Sequence, residues 1–413
     1  MNQLTGRKLY IPRMSYEAAE LTAAAFRSQG VDAIPSPDSD DRTLELAAKF
    51  TTGEECLPQR VTLGNFLKII LEPGFDPAKN AFLMPTSSGP CRFGQYSPLL
   101  KKILKELGYS DAVVFSPTSS DGYEGFGGNI NWFLRTSWRA VVTADILRKF
   151  LYMIRPYEKE HGTADVIHLN TIKKAGEILS NPGLSLKVQI RRLQGVIEDV
   201  RDEYKRLLLK DDPGTYPLIG IVGEIYLRFN DFSNQYLIRN LEKIGGEAWI
   251  ADIGEWVWYT NYEEKRKLRE SGKKYSYRMM KSYLRSFIQE WDQNALLKPV
   301  NDFFVERREA QTEEILSYSE EFLPAKMALG EMTLNAGKAI SFFKEGCDGV
   351  IDISPFTCMN GIVTEVIYPD ISKACKKFPI KIFYFDGVQT DLESDLEIFM
   401  EQVKIYRKKR LKM

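Results

Sequence analysis

Short apolar runs alternate with amphipathic stretches from the start of the chain. Residues 8–11 carry a strand pattern, 16–28 a helix closed by Gly30, and 31–34 a second short strand before the loop Pro35-Ser-Pro-Asp-Ser-Asp. Helical periodicity returns over 43–50 and 59–71. The runs 81–84 and 112–115 read as buried strands, with a helix near 98–107 between them. Strands alternating with helices of this length predict βαβ units, a parallel sheet and right-handed crossovers. From about 129 to 209 the strand signal fades, and 132–153, 164–179 and 184–209 repeat with a helical period. The last is charged on one side and apolar on the other, as expected of a surface helix that packs one face. A second α/β block opens at Pro217-Leu-Ile-Gly-Ile-Val-Gly. It reads as strand 218–222, helix 234–244 and strand 248–250, then a charged, aromatic helical insert over 263–301. Helix 330–344, strand 349–353, a helix after Cys358, strand 380–385 and a final helix near 391–406 follow. The pattern predicts an α/β chain of two Rossmann-like parallel-sheet domains facing each other, residues 1–128 and 215–413, joined by a helical connecting region over 129–214.

With 413 residues, the chain has room for two to four domains with their own cores. Apolar residues make up 44% and charged residues 27%, a soluble globular composition. Lys+Arg and Asp+Glu balance at 56 each, without the basic excess of a protein that grips nucleic-acid phosphates. The basic tail Arg407-Lys-Lys-Arg-Leu-Lys reads as a solvated end. The first residues lack the apolar stretch of a signal peptide, and no run matches a membrane span. A cytoplasmic protein without membrane or nucleic-acid partners is therefore expected. Five cysteines in such a chain point to thiol chemistry or metal ligation rather than disulfides. Only two histidines, His161 and His168, are present, which leaves little for a His-based metal site or Ser-His catalysis.

The cysteines are not equivalent. Cys56 lies in Gly53-Glu-Glu-Cys-Leu-Pro58, Cys91 in Gly89-Pro-Cys-Arg-Phe-Gly94 and Cys358 in Pro355-Phe-Thr-Cys-Met-Asn-Gly361. Gly and Pro on either side mark turns, where backbone N–H groups are not consumed by a helix or sheet. Such donors suit the sulfurs of a cluster, whose potential they tune. Cys91 follows the strand 81–84 and Cys358 the strand 349–353; in open α/β sheets, ligands sit beyond the carboxyl ends of strands. Cys56 enters the helix 59–71 at its start, a position that favours the thiolate. Cys375, in the helical Ser372-Lys-Ala-Cys-Lys-Lys-Phe378, reads as a buried structural residue. Cys347, just after a Gly346 cap, reads the same way, with a fourth-ligand role as the alternative. The bland alternative for the trio is three unrelated cysteines, since their spacing matches no compact motif such as C-x-x-C. A closed zinc site wants four Cys or His ligands. Three thiolates suit a [4Fe-4S] cluster with one iron open to an external ligand.

Around these residues, Ser87, Ser88 and Arg92 either hydrogen-bond a cluster or its fourth ligand, or cap the following helix. Glu54 and Glu55, beside Cys56, read as exposed carboxylates, with ligation or proton transfer as the alternative. Gly220-Ile-Val-Gly-Glu falls short of a full G-x-G-x-x-G and reads as a tight β–α turn rather than a nucleotide loop. Glu224, Tyr226 and Arg228 either line an interdomain cleft or serve at the surface and in ion pairs. Residues 122–128, with Tyr123 and Phe126, read as a loop that covers the site or joins two regions. Trp249, Trp256, Trp258 and Tyr259 read as core.

The same segments carry a family likeness. Ile11-Pro-Arg-Met14, the turn around Cys56, Met84-Pro-Thr-Ser-Ser-Gly-Pro-Cys-Arg-Phe-Gly-Gln-Tyr96, Gly220-Ile-Val-Gly-Glu-Ile-Tyr-Leu-Arg228, Asp348-Gly-Val-Ile, Pro355-Phe-Thr-Cys-Met and Asp386-Gly387 run nearly end to end. In them the chain resembles the iron–sulfur subunits of the 2-hydroxyacyl-CoA dehydratase / benzoyl-CoA reductase family, and more closely its activase-related branch. The resemblance implies two Rossmann-like domains with a [4Fe-4S] cluster between them on Cys56, Cys91 and Cys358. It further implies low-potential electrons delivered by an ATP-dependent activase, an acyl-CoA or related substrate, and a homo- or heterodimer. Some relatives hold a double-cubane cluster, which needs more thiolates than this trio. Met359-Asn-Gly361 stands where the family often shows Met-Pro-Gly. No Gly-x-x-x-x-Gly-Lys-Ser/Thr loop occurs, so ATP hydrolysis falls to a partner. The alternative class is a non-redox two-domain protein whose cleft binds a nucleotide or CoA compound.

Overall fold

The computed structural model describes residues 3–87, 89, 91–117, 126–326, 328, 330–389 and 391–412. Ser88 and most of the 122–128 loop lie outside them. In chain order the elements are β1 (Lys8–Ile11), α1 (Tyr16–Arg27), β2 (Asp32–Pro35), α2 (Asp41–Ala48), α3 (Leu57–Ile70), β3 (Asn80–Leu83), α4 (Tyr96–Glu106) and β4 (Val113–Phe115). Three helices follow: α5 (Ile130–Ile154), α6 (Thr163–Ser180) and α7 (Leu186–Arg206). The second block holds β5 (Leu218–Gly223), α8 (Ile225–Phe229), α9 (Leu237–Lys243), β6 (Glu247–Ile250), α10 (Ile253–Glu270) and α11 (Tyr277–Leu297). It continues through α12 (Thr312–Ser319), α13 (Glu331–Lys344), β7 (Gly349–Pro355), α14 (Met359–Ala374), β8 (Ile380–Phe385) and α15 (Leu392–Arg410). The chain forms two compact units, residues 1–144 with 172–192, and 145–171 with 193–413.

Each unit is built on a four-stranded parallel sheet, and the strand orders match: β2-β1-β3-β4 in the first and β6-β5-β7-β8 in the second. Leu9 pairs with Ala33 and Ala81, and Ile221 with Ile250 and Ile351. In both sheets the order reverses between the first and third strands, which creates a switch point at the carboxyl edge, the usual ligand position in this architecture. Every residue of β5 and β7 is buried, as in a parallel strand covered on both faces. The expected α/β class with parallel sheets is thus present in both units.

Local chemistry sets the element boundaries. The helix expected from residue 43 starts at Asp41 because Asp40 and Thr43 form a capping box: the Thr43 N–H donates to Asp40 Oδ1 at 3.1 Å, and the Asp40 N–H to Thr43 Oγ1 at 3.0 Å. The helix expected over 234–244 begins only at Leu237, since Gln235 and Tyr236 hold left-handed backbone, with φ of 54° and 56°. The pattern does not announce α8, which spans five residues, or α12. The aromatic insert forms α10 and α11, and it begins ten residues earlier than its charge pattern implies.

The first core gathers Leu9, Phe26, Ala81, Phe115 and Phe133. The second gathers Val222, Trp249, Phe342, Val350 and Phe378, and holds both Cys347 and Cys375. The basic tail is not simply solvated: it is the last turn of α15, where Arg410 reaches the buried Asp348 at 2.8 Å and Arg407 lies 3.6 Å from it. Among the described residues, no helix is long and apolar enough to cross a membrane.

The turn Gly220-Ile-Val-Gly-Glu has a packing explanation. A Cβ on Gly220 would meet the Phe342 ring at 2.2 Å, and one on Gly223 would meet the Ile353 carbonyl oxygen at 2.1 Å. Both glycines therefore let β5 lie close to α13 and β7. Gly220→Ala is expected to cost about 1–3 kcal/mol by overpacking. Gly195→Ala, on the open face of α7 where an added Cβ meets nothing, should gain roughly 0.5–1 kcal/mol. Denaturant midpoints of the two variants should move in opposite directions.

Candidate metal centre

Cys91 lies beyond β3, the third strand of the first unit. It occupies the N-cap of the 3-10 turn Arg92–Gln95 that runs into α4, with φ −67° and ψ 137°, and its Sγ accepts from the Phe93 N–H at 3.5 Å. Cys56 occupies the N-cap of α3 in nearly the same conformation, φ −64° and ψ 150°, with Pro58 in the first helical turn. Two contacts tie these cysteine turns together. Tyr96, the first residue of α4, brings its hydroxyl within 2.7 Å of Cys56 Sγ. Arg92 donates from Nη1 to the Glu54 carbonyl oxygen at 2.7 Å. The Phe93 and Tyr96 rings meet edge to face with centroids 5.1 Å apart, which holds the start of α4 in place. Cys56 and Cys91 thus share one neighbourhood of the first unit. Glu55 is occupied locally, where its carboxylate accepts the Thr52 and Gly53 N–H groups.

Cys358 holds the equivalent place in the second unit. It follows β7, the third strand of that sheet, and is the N-cap of α14 with φ −74° and ψ 127°. Its surroundings are more buried and more acidic. Glu224 caps α8 by accepting the Leu227 N–H at 2.9 Å, while its own N–H donates to the Ile353 carbonyl at 2.8 Å. Glu331 opens α13. It accepts the Ile225 N–H at 2.9 Å and the Asn360 side-chain amide at 2.8 Å, and so joins the starts of α8, α13 and α14. This bond from the Asn360 side chain ties the first turn of α14 to α13. A Cβ on Gly361 would sit 2.2 Å from Ser354 Oγ, so only glycine lets the first turn of α14 settle on the end of β7. Behind it, Asp352 accepts from the Tyr368 hydroxyl at 2.6 Å and the Thr364 hydroxyl at 3.1 Å. Arg228 is buried and donates to the Ala251 carbonyl at 3.0 Å. The surface reading of Tyr226 and Arg228 is therefore replaced by a core one, while Glu224 is partly exposed.

These surroundings set the proton affinities. Burial, reinforced by Glu224 and Glu331, pushes the Cys358 thiol up to about 12, although the Asn360 and Gly361 amides pull the other way. Burial and the Glu224 carboxylate raise Glu331 to about 8. Burial raises Asp352 to about 6 against its two hydroxyl donors. Four buried polar atoms here, Asp352 Oδ1, Ser354 Oγ, Asn335 Nδ2 and Asn360 Oδ1, have no hydrogen-bond partner among the described residues.

Cys347 and Cys375 are buried, and burial raises both thiols. Their structural role agrees with their place in the core. Thiols at the start of helical segments are chemically suited to iron, which binds thiolate and favours loss of the thiol proton. Among the described residues, no three His, Cys, Asp or Glu side chains are gathered closely enough to hold a metal ion. The first unit offers two linked thiols and the second offers one. Sequence reasoning passed over Tyr96 and Glu331. Tyr96 stands inside the quoted motif but not next to a cysteine, and the partners of Glu331 lie far from it in the chain. Searches found no family model that matches the chain and no matching curated protein.

Glu331 supplies a test of this electrostatic setting. Its folded-state value of about 8 lies above the ordinary glutamate value of about 4.3. The stability it contributes is complete below that ordinary value and is lost as the pH rises through about 8. Thermal midpoints should therefore fall between pH 6 and 9. Glu331→Gln, which cannot ionise, should reduce that fall by about 2–4 °C. An unchanged pH profile in the variant would contradict the assignment.

Proposed function

We propose that this protein is a redox component in which Cys56, Cys91 and Cys358 hold one [4Fe-4S] cluster between two Rossmann-like units that face each other. It works in an anaerobic cytoplasmic system, takes low-potential electrons from an ATP-dependent activase, and reduces an acyl-CoA or related small substrate. The observation that carries this reading is the shared backbone setting of the three cysteines. Each caps a helical segment in extended conformation, and Cys91 and Cys358 follow the corresponding strand of two sheets with the same order. The other two cysteines sit in the core.

When bound, the cluster supplies one-electron chemistry at low potential and an iron open to a fourth ligand. The chain's own residues do the rest. Arg92 fixes the Cys56 turn through the Glu54 carbonyl, and Tyr96 presents a hydroxyl to Cys56 Sγ. Hydrogen bonding and charge near a ligating sulfur tune its basicity. Ser88 and Arg92, neighbours of Cys91 in the sequence, are proposed to hydrogen-bond the cluster or its fourth ligand. Glu224 and Glu331 lie close enough to Cys358 to raise its proton affinity, and an iron core bound there would favour the thiolate instead.

A second reading rests on the buried unpartnered atoms near Asp352: a non-redox protein that binds a nucleotide or CoA compound at the carboxyl edge of β5 and β7. Anaerobic reconstitution separates the two. The redox reading expects a brown protein with about four irons per chain, in line with the cluster's composition. Cys91→Ser should lose the colour and most of the iron, while Cys375→Ser should keep both. A colourless, iron-free wild type would leave the second reading, and equal losses in both variants would contradict the sorting of the cysteines.

A further inference from the structure

Helix α11 carries two heptad-spaced seams, and the apolar one faces outward. The inner seam, Met279, Ser282, Ser286, Gln289, Gln293 and Leu296, lies along α10. Ser282 donates to Glu264, Gln289 accepts from Asn261 at 2.9 Å, and Gln293 accepts from the Trp258 indole at 2.8 Å. The outer seam is Tyr277, Met280, Leu284, Phe287, Trp291 and Asn294, with steps of three and four residues throughout. Its five large side chains are 50–75% exposed. A surface helix ordinarily turns such a stripe toward its own core. Here the polar stripe faces inward and the aromatic one faces solvent.

We propose that the outer seam pairs with the same seam of a second copy of this chain, antiparallel about a two-fold axis between residues 285 and 286. In that register Leu284 meets the partner's Phe287, and Met280 meets the partner's Trp291, a favourable sulfur–aromatic contact. Tyr277 meets the partner's Asn294, which places a polar pair at each end. A two-fold interface must be self-complementary in this way. Charge selects the antiparallel direction. Of the charges on α11, Arg278 and Arg285 pair with Glu264 of α10 and Asp292 is buried, which leaves the exposed Lys281 in the first half and the exposed Glu290 in the second. This distribution opposes the helix macrodipole within one chain. An antiparallel neighbour sets Lys281 of each helix level with Glu290 of the other, whereas a parallel one would set like charges together. With Tyr283 at its flank, the seam presents six side chains that expose roughly 100 Å² each. Pairing would bury about 1,200 Å² in total, the lower end of stable interfaces. This inference is independent of the cluster.

Sedimentation of the full chain under reducing conditions tests it. The wild type should run at twice the chain mass at micromolar concentration. Phe287→Asp and Leu284→Asp, both at exposed positions, should each raise the dissociation constant at least about 30-fold, with unchanged circular dichroism. Hydrogen exchange of the wild type across dilution needs no variant, and protection over 277–294 should appear only at dimer concentrations. A wild type that is monomeric at about 100 µM would overturn the proposal, including one that instead binds phosphatidylcholine–phosphatidylglycerol vesicles. A dimer unaffected by both substitutions, with no exchange protection over 277–294, would overturn it too.

Discussion

A helix begins with amide N–H groups that have no carbonyl partner within the helix, and among the described residues three helical segments begin on a cysteine. That constraint decides what each thiol meets. All three hold extended backbone; the Cys56 side chain caps no amide and instead meets the Tyr96 hydroxyl, while the other two meet first-turn amides. Phe93 gives its N–H to Cys91, and the Asn360 and Gly361 amides act on Cys358. Cys347 and Cys375, without such a position, behave as small apolar residues. The matched strand orders extend the constraint to the fold, because the loops after β3 and β7 leave their sheets at equivalent points beside the switch.

The two units treat their cysteines differently. In the first, hydrogen-bonding side chains do the positioning: Arg92 holds the Glu54 carbonyl and Tyr96 meets the sulfur. In the second, buried carboxylates do it, at the cost of raised proton affinities on Glu331, Asp352 and Cys358 itself. Buried acids are retained where hydrogen bonds hold them, and Glu331 is held by a backbone amide and a side-chain amide that fasten three helix starts. Elsewhere in this unit charge is balanced within the interior. Lys149 lies 3.3 Å from Asp252 and 2.9 Å from Glu309, and Lys338 also pairs with Glu309.

Much of this was legible in the sequence because it is local. Apolar runs marked the eight strands of the described residues to within a residue or two, and Gly and Pro brackets separated the three turn cysteines from the two core ones. Features that depend on distant partners were not legible. Asn360 and Glu331 meet across 29 positions, and Tyr96 meets Cys56 across 40. The tail arginines looked solvated because their buried partner, Asp348, lies 62 positions before Arg410. The seam of α11 was visible only as aromatic content, since a heptad pattern does not say which face a neighbour covers. The left-handed pair Gln235–Tyr236 has no glycine to announce it.

The central claim is that thiols from both units share one inorganic core. An iron-edge anomalous difference map from crystals grown without oxygen tests it most directly. The account predicts one compact iron peak per chain with density continuous to the sulfurs of Cys56, Cys91 and Cys358. Iron bound elsewhere, or Cys358 Sγ separated from the other two sulfurs with no iron between them, would contradict it.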